Sequence, residues 1–241
     1  MTEPNEQLQE GGENSRPSFF SATRGKRELI AAVAEILRLE DGALIWFGNR
    51  EGEDLDLVAL TDRGGGLDWC HGAIDLLVLR REQFLRLVQL SDPIATEPIR
   101  TGELVAGEER VWQAVRELFR SIKAPHPDAP QHLLRRGLAQ YHSALQWLER
   151  HSDTGDPCHA GFGLLNLSFF CSYFLSAREA SAGRLPPSMS DLLPKYSQLR
   201  TIREAFSLLK RGGEISSVEL REMILGAEAL LLGKVWTETT G

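Results

Sequence analysis

Asp54 and Asp56 stand two apart at the start of the apolar run Leu55-Asp56-Leu57-Val58-Ala59-Leu60, which reads as a buried strand. Residues two apart on a strand leave the same face, so both carboxylates point one way, roughly 6–7 Å apart. Aspartate is disfavoured in strands, and two like charges in a half-buried site repel each other. A hard divalent ion such as Mg²⁺ takes carboxylate oxygens and relieves the repulsion. The pair also reads as a solvated strand edge that discourages pairing with other sheets. Three neighbours favour the metal site. The strand-like run Ala43-Leu44-Ile45-Trp46-Phe47 enters Gly48 directly, giving strand, tight turn, strand. A second apolar run from Ala73 to Leu79 carries one carboxylate, Asp75. Glycines at 48 and 52 would let backbone amides approach a phosphate.

These residues resemble the DNA polymerase β-like nucleotidyltransferase superfamily, in particular its small two-domain members with an all-helical C-terminal half. The family pattern is a strand ending in Gly-Ser, a short loop, Asp-x-Asp, and a third acid on a neighbouring strand. Gly48 fits the glycine, Asp54 and Asp56 the pair, and Asp75 the third acid. The run from Ile74 to Phe84, then Asp92-Pro93 to Gly102, has the family's order of strand, helix and short final strand. The resemblance spans roughly residues 25–120. It implies Mg²⁺-dependent transfer of a nucleoside monophosphate, AMP from ATP by family habit, to an acceptor hydroxyl. Two Mg²⁺ ions about 3.5–4 Å apart would clamp the attacking and leaving oxygens. Asp54 and Asp56 would bridge them. Asp75 would hold the metal on the attacking side and accept the acceptor's proton. Gly48, Asn49 and Arg50 would contact the nucleotide. Asn49 stands where the family has serine, and the loop before Asp54 is several residues shorter than usual. An asparagine amide can donate to the same phosphate oxygen, and Arg50 can add charge. These departures motivate a second reading, a nucleotidyltransferase-fold binding module without turnover that acts as a regulatory or antitoxin-like partner.

The elements that must hold these residues are legible in outline. Leu29, Ile30, Val33, Ile36 and Leu37 form a helical stripe over Lys26–Leu39, expected to back the sheet. Trp112, Val115, Leu118 and Phe119 form another over Val111–Ile122. Asp62, Asp68 and His71 fall in an expected loop between two strands, with Gly64-Gly65-Gly66 as a hairpin tip. Three prolines between Ala124 and Pro130 mark a linker. Beyond it only helices are expected, over 130–151, 159–182, 189–210 and 216–236. The expected fold is thus α+β: a mixed sheet flanked by helices, then an up-and-down helical bundle. The division is a disordered tail over 1–22, a nucleotidyltransferase-like domain over 23–123, the linker over 124–130 and the bundle over 131–241. Arg136 and His142 have about the spacing of HEPN ribonucleases, but in the first bundle helix; a surface arginine and an ordinary histidine account for them better. Phe162, Phe169, Phe170, Tyr173 and Phe174 read as bundle core or a dimer face.

Composition narrows the function classes. The chain has 241 residues, 42% hydrophobic and 25% charged, values of an ordinary globule. No continuous apolar run near eighteen residues is present, so no membrane span is expected. The polar stretch from Met1 to Arg16 does not read as a signal peptide. Three scattered cysteines, Cys70, Cys158 and Cys171, point to a reducing cytoplasm. A net charge of −7 argues against extended contacts with nucleic acid. A cationic small molecule or a protein hydroxyl is the easier acceptor. The bundle could also supply a homodimer contact.

Overall fold

The structure, a computed structural model, describes residues 23–39, 41–48, 55–62, 67–71 and 74–231. Asn49, Arg50 and Asp54 lie outside the described residues, as do Gly52 and the glycines at 64–66. The fold is α+β: a mixed sheet with flanking helices, followed by a helical half.

Five strands, β1 (Ala43–Phe47), β2 (Leu55–Thr61), β3 (Leu67–His71), β4 (Ile74–Arg80) and β5 (Glu103–Gly107), lie in the order β3-β4-β2-β1-β5. The central pair, β2 and β4, is parallel, and the other pairings are antiparallel. β3 corrects the expected loop. The short run Leu67-Asp68-Trp69-Cys70-His71 pairs with β4, so Asp68 and His71 belong to a strand. Edge strands of this length carry too few residues for a clear alternation.

Alternation on the central strands divides the sheet into two apolar faces. Leu44, Leu55, Leu57, Ala59, Leu76 and Val78 pack on one face beneath Ile30 and Val33 of α1 (Thr23–Leu37). Ile45, Val58, Leu60, Leu77 and Leu79 face the other way. They meet Phe84 and Val88 of α2 (Arg81–Gln89), Ala95 and Ile99 of α3 (Pro93–Thr101), and Trp112 and Val115 of α4 (Glu109–Ser121). Burying a side chain such as Phe84 or Val115 is worth about 1.5–3 kcal/mol.

The helical half comprises α5 (Ala129–Thr154), α6 (Pro157–Ser181), α7 (Met189–Leu192), α8 (Ser197–Lys210) and α9 (Ser217–Leu231). The expected single helix over 189–210 is two, because Pro194 has no amide hydrogen to continue the first. α5 and α6 form a close antiparallel pair. A methyl on Gly163 would stand 2.5 Å from Leu148 Cδ2, and one on Gly137 would stand 3.1 Å from Tyr173 Cβ. α6 is the bundle's centre, with Leu164, Leu167, Phe170 and Leu175 buried against α5, α8 and α9. It is long and apolar enough to cross a membrane, although glycines and serines break up its apolar residues. In this fold 67% of that stretch is buried inside the molecule. The aromatic group separates accordingly: Phe170 and Tyr173 are buried, whereas Phe162 and Phe169 are each 36% exposed.

Candidate functional site

β2 and β4 run parallel with Asp56 directly opposite Asp75. Both are half-buried and share a face with Val58, Leu60, Leu77 and Leu79, the face covered by α2, α3 and α4. The strand period of two places them there: each acid precedes the inward-facing residues of its strand by an even count. Phe47, the last residue of β1, pairs with Asp56 on its other side. The chain then turns at Gly48, whose φ of +82° suits glycine. A methyl at Gly48 would lie 2.3 Å from Asp56 Oδ2. The turn therefore abuts the carboxylate, and only glycine leaves room for it as placed.

Electrostatics mark Asp56 as the tense member. Burial, and next the charge of Asp75, push its carboxyl up to about 6, while Arg203 and Lys26 pull the other way. Lys26 comes from the first turn of α1, its ammonium 5.4 Å from the centre of the Trp46 ring. Arg203 comes from α8, so the helical half contributes charge to the sheet's acids. Burial pushes the Arg203 guanidinium down, and Asp56 and Glu97 push it up. Glu97, on α3, is itself raised by burial despite accepting a hydrogen bond from Met189 N at 2.5 Å.

Two hard carboxylates facing one another across a parallel pair, one destabilised as an anion, suit a small divalent cation such as Mg²⁺. Among the described residues no group of three or more histidines, cysteines, aspartates or glutamates could hold a metal. Asp54, expected from the sequence as a metal ligand, lies outside the described residues.

A second polar cluster, which sequence reasoning missed, fastens the two halves together. Asp92 is 0% exposed and caps α3, accepting from Ile94 N at 3.0 Å. Tyr173 of α6 donates its hydroxyl to Asp92 Oδ1 at 2.8 Å. His132 Nε2 of α5 stands 2.7 Å from Asp92 Oδ2, and Arg136 Nε stands 3.7 Å from the same oxygen. Farther along α3, Arg100 donates to Pro186 O at 2.8 Å. The Asp-Pro pair announces a helix start. Nothing in its spacing announces that helices forty and eighty residues later cover it. Arg136 is thus turned to the interface, whereas His142 is exposed and lies 3.1 Å from Gln146 Nε2, so the two do not form a common site.

No family model matches the sequence, and no curated protein matches it. Among solved structures, the chain is similar to a nucleotidyltransferase-like protein from Exiguobacterium sibiricum 255-15, at 12% identity and a TM-score of 0.39. That similarity covers 87% of this chain and 75% of the other. So loose a superposition leaves the functional reading to the residues themselves.

Proposed function

We propose that the protein is a nucleotidyltransferase that moves a nucleoside monophosphate, AMP from ATP, to a hydroxyl of a small molecule or partner protein. The observation that carries this reading is the registered pair of Asp56 and Asp75, with Asp56 held tense beside cations from α1 and α8. Asp56, Asp75 and Asp54 would hold Mg²⁺. The bound metal would supply charge neutralisation on the reacting phosphate and its leaving group.

The chain's own residues have separate tasks. Asp75 accepts the proton of the acceptor hydroxyl. The hydroxyl oxygen bonds to the α-phosphorus, the bond from that phosphorus to the α–β bridging oxygen breaks, and pyrophosphate departs. Gly48 keeps the turn close to Asp56 so that backbone amides, with Asn49 and Arg50, reach the phosphates. The helical half forms the second wall, excluding water and orienting the acceptor in the cleft. A cationic metabolite or a protein side chain suits the net charge of −7. Among the described residues Cys158 and Cys171 are free thiols, which suits a reducing cytoplasm.

Titration calorimetry against MgATP, paired with transfer from α-labelled triphosphates, tests the reading. Binding should need Mg²⁺ or Mn²⁺ and vanish in Asp56→Asn. Asp75→Asn should keep most binding and lose transfer by about 10²–10⁴-fold. Equal ATP affinity in EDTA overturns the proposal. A second reading, a binding module without turnover, draws on Arg203, which already gives Asp56 a cationic neighbour. Tight MgATP binding without transfer to any acceptor would favour it.

A further inference from the structure

The apolar clusters of the two halves stay apart. Among the described residues, those built on the sheet reach no further than Ile122, and those of the bundle begin at Ala129. Between the halves the principal contact of element with element is α3 against α6. Two groups of hydrogen bonds tie α3 to the bundle. At its start, Asp92 meets the Tyr173 hydroxyl at 2.8 Å and His132 Nε2 at 2.7 Å. Toward its end, Glu97 accepts from Met189 N at 2.5 Å and Arg100 donates to Pro186 O at 2.8 Å. Pro186 and Met189 belong to the strap over 182–196 that joins α6 to α8. Its last residue, Tyr196, is held on the bundle by Arg178 Nη2 at 2.7 Å. The covalent crossing over 122–128 contains neither helix nor strand. Its Asp128 meets Arg86 of α2 at 3.6 Å, an exposed pair that water screens.

Two fastenings on one helix define a line. Asp92 and Arg100 lie about 12 Å apart along α3, and two bodies joined at two points of a line keep rotation about it. A polar interface between separate cores offers little resistance to that turn, because little apolar burial is lost as it proceeds. The two fastenings differ in strength. Asp92 is fully buried and bonded through both oxygens. Arg100 is exposed, so water readily replaces the carbonyl it holds. We propose that the helical half swings about α3, with Asp92 as the fixed pivot and the strap at Glu97 and Arg100 as the releasable pin. The swing passes over the sheet face that carries Asp56 and Asp75, since α3 covers that face. Its bearing on nucleotide transfer rests on the reading above, whereas the hinge itself does not.

Pulsed electron paramagnetic resonance on the full chain tests this, in a background carrying Cys70→Ser, Cys158→Ser and Cys171→Ala. Spin labels at Ile36→Cys on α1 and Leu225→Cys on α9, both well exposed, report the distance across the halves. Labels at Leu138→Cys and Leu225→Cys, also exposed, report within the bundle. With no ligand added, Glu97→Ala/Arg100→Ala should widen the distance distribution across the halves about 2-fold over the wild type and leave the bundle pair unchanged. Should the double variant not fold, Arg100→Ala alone carries the test, because that side chain is exposed, and the widening should be smaller in the same direction. A distribution across the halves no wider in the variants than in the wild type overturns the hinge. Equal widening of the bundle pair overturns it too, since the bundle itself would then have loosened. Failure of MgATP to bind touches the nucleotide reading alone, and these widths still decide the hinge.

Discussion

At the scale of residues, the site is built at the expense of stability. Asp56 titrates near 6 in the folded protein instead of 3.8, chiefly because it is buried and then because Asp75 faces it. The folded state therefore holds that proton more tightly than the unfolded chain. Its contribution is fully present below 3.8 and is lost as pH rises through about 6. A rise of this size is worth at most about 3 kcal/mol. The partial exposure of Asp56 and the loss of attraction to Arg203 and Lys26 reduce what a neutral substitute recovers. Asp56→Asn should thus stabilise the metal-free protein at pH 7.5 by about 1–2 kcal/mol, or roughly 2–8 °C in Tm for a chain of this size. The advantage should shrink as pH falls toward 4. Thermal melts across that range check it, and a less stable Asn variant at pH 7.5 refutes it. The sequence conveys Asp56 and Asp75 because strand alternation is local. Arg203 was not legible, since its approach depends on how a helix some 150 residues away docks.

At the scale of elements, α3 is the strut between sheet and bundle. Its first residues are tied to α5 and α6 through Asp92, and its later ones to the segment around α7 through Glu97 and Arg100. Asp92→Ala would remove a helix cap and leave the Tyr173 hydroxyl and Arg136 without their buried carboxylate. The expected cost is about 3–5 kcal/mol, in line with breaking a buried charged pair from one side. Urea denaturation should show it as a lowered midpoint. A change under about 1 kcal/mol would mean the cluster is incidental to cohesion. The helices were readable where apolar stripes are long, as in α1 and α4. The division between α7 and α8 was foreshadowed by Pro194 but overridden by the apolar period on both sides of it. β3 escaped because a five-residue edge strand beside glycines carries little pattern.

At the scale of the whole molecule, the sheet half and the helical half are tied at one strut and share one cluster of charge. The α+β class was legible from the change of texture after the prolines near residue 125, where alternating runs give way to helical stripes. Their mutual placement was not legible. It rests on single polar residues, Asp92, Glu97, Tyr173 and Arg203, that composition and periodicity do not distinguish from surface groups.

The central position of α6 has a consequence for biosynthesis. α6 is synthesised before α8 and α9, the helices that help to cover it. For that interval a nascent chain presents an apolar segment of membrane-spanning length, stable only when later residues arrive. Its interrupting serines, Ser168, Ser172 and Ser176, are all buried in the finished fold and keep the segment less greasy while it waits. A chain ending at residue 195 should therefore partition to the pellet or to added membrane vesicles in a cell-free translation, whereas the full chain stays in the supernatant. Equal solubility of the two would show that α5 alone shelters α6 during synthesis.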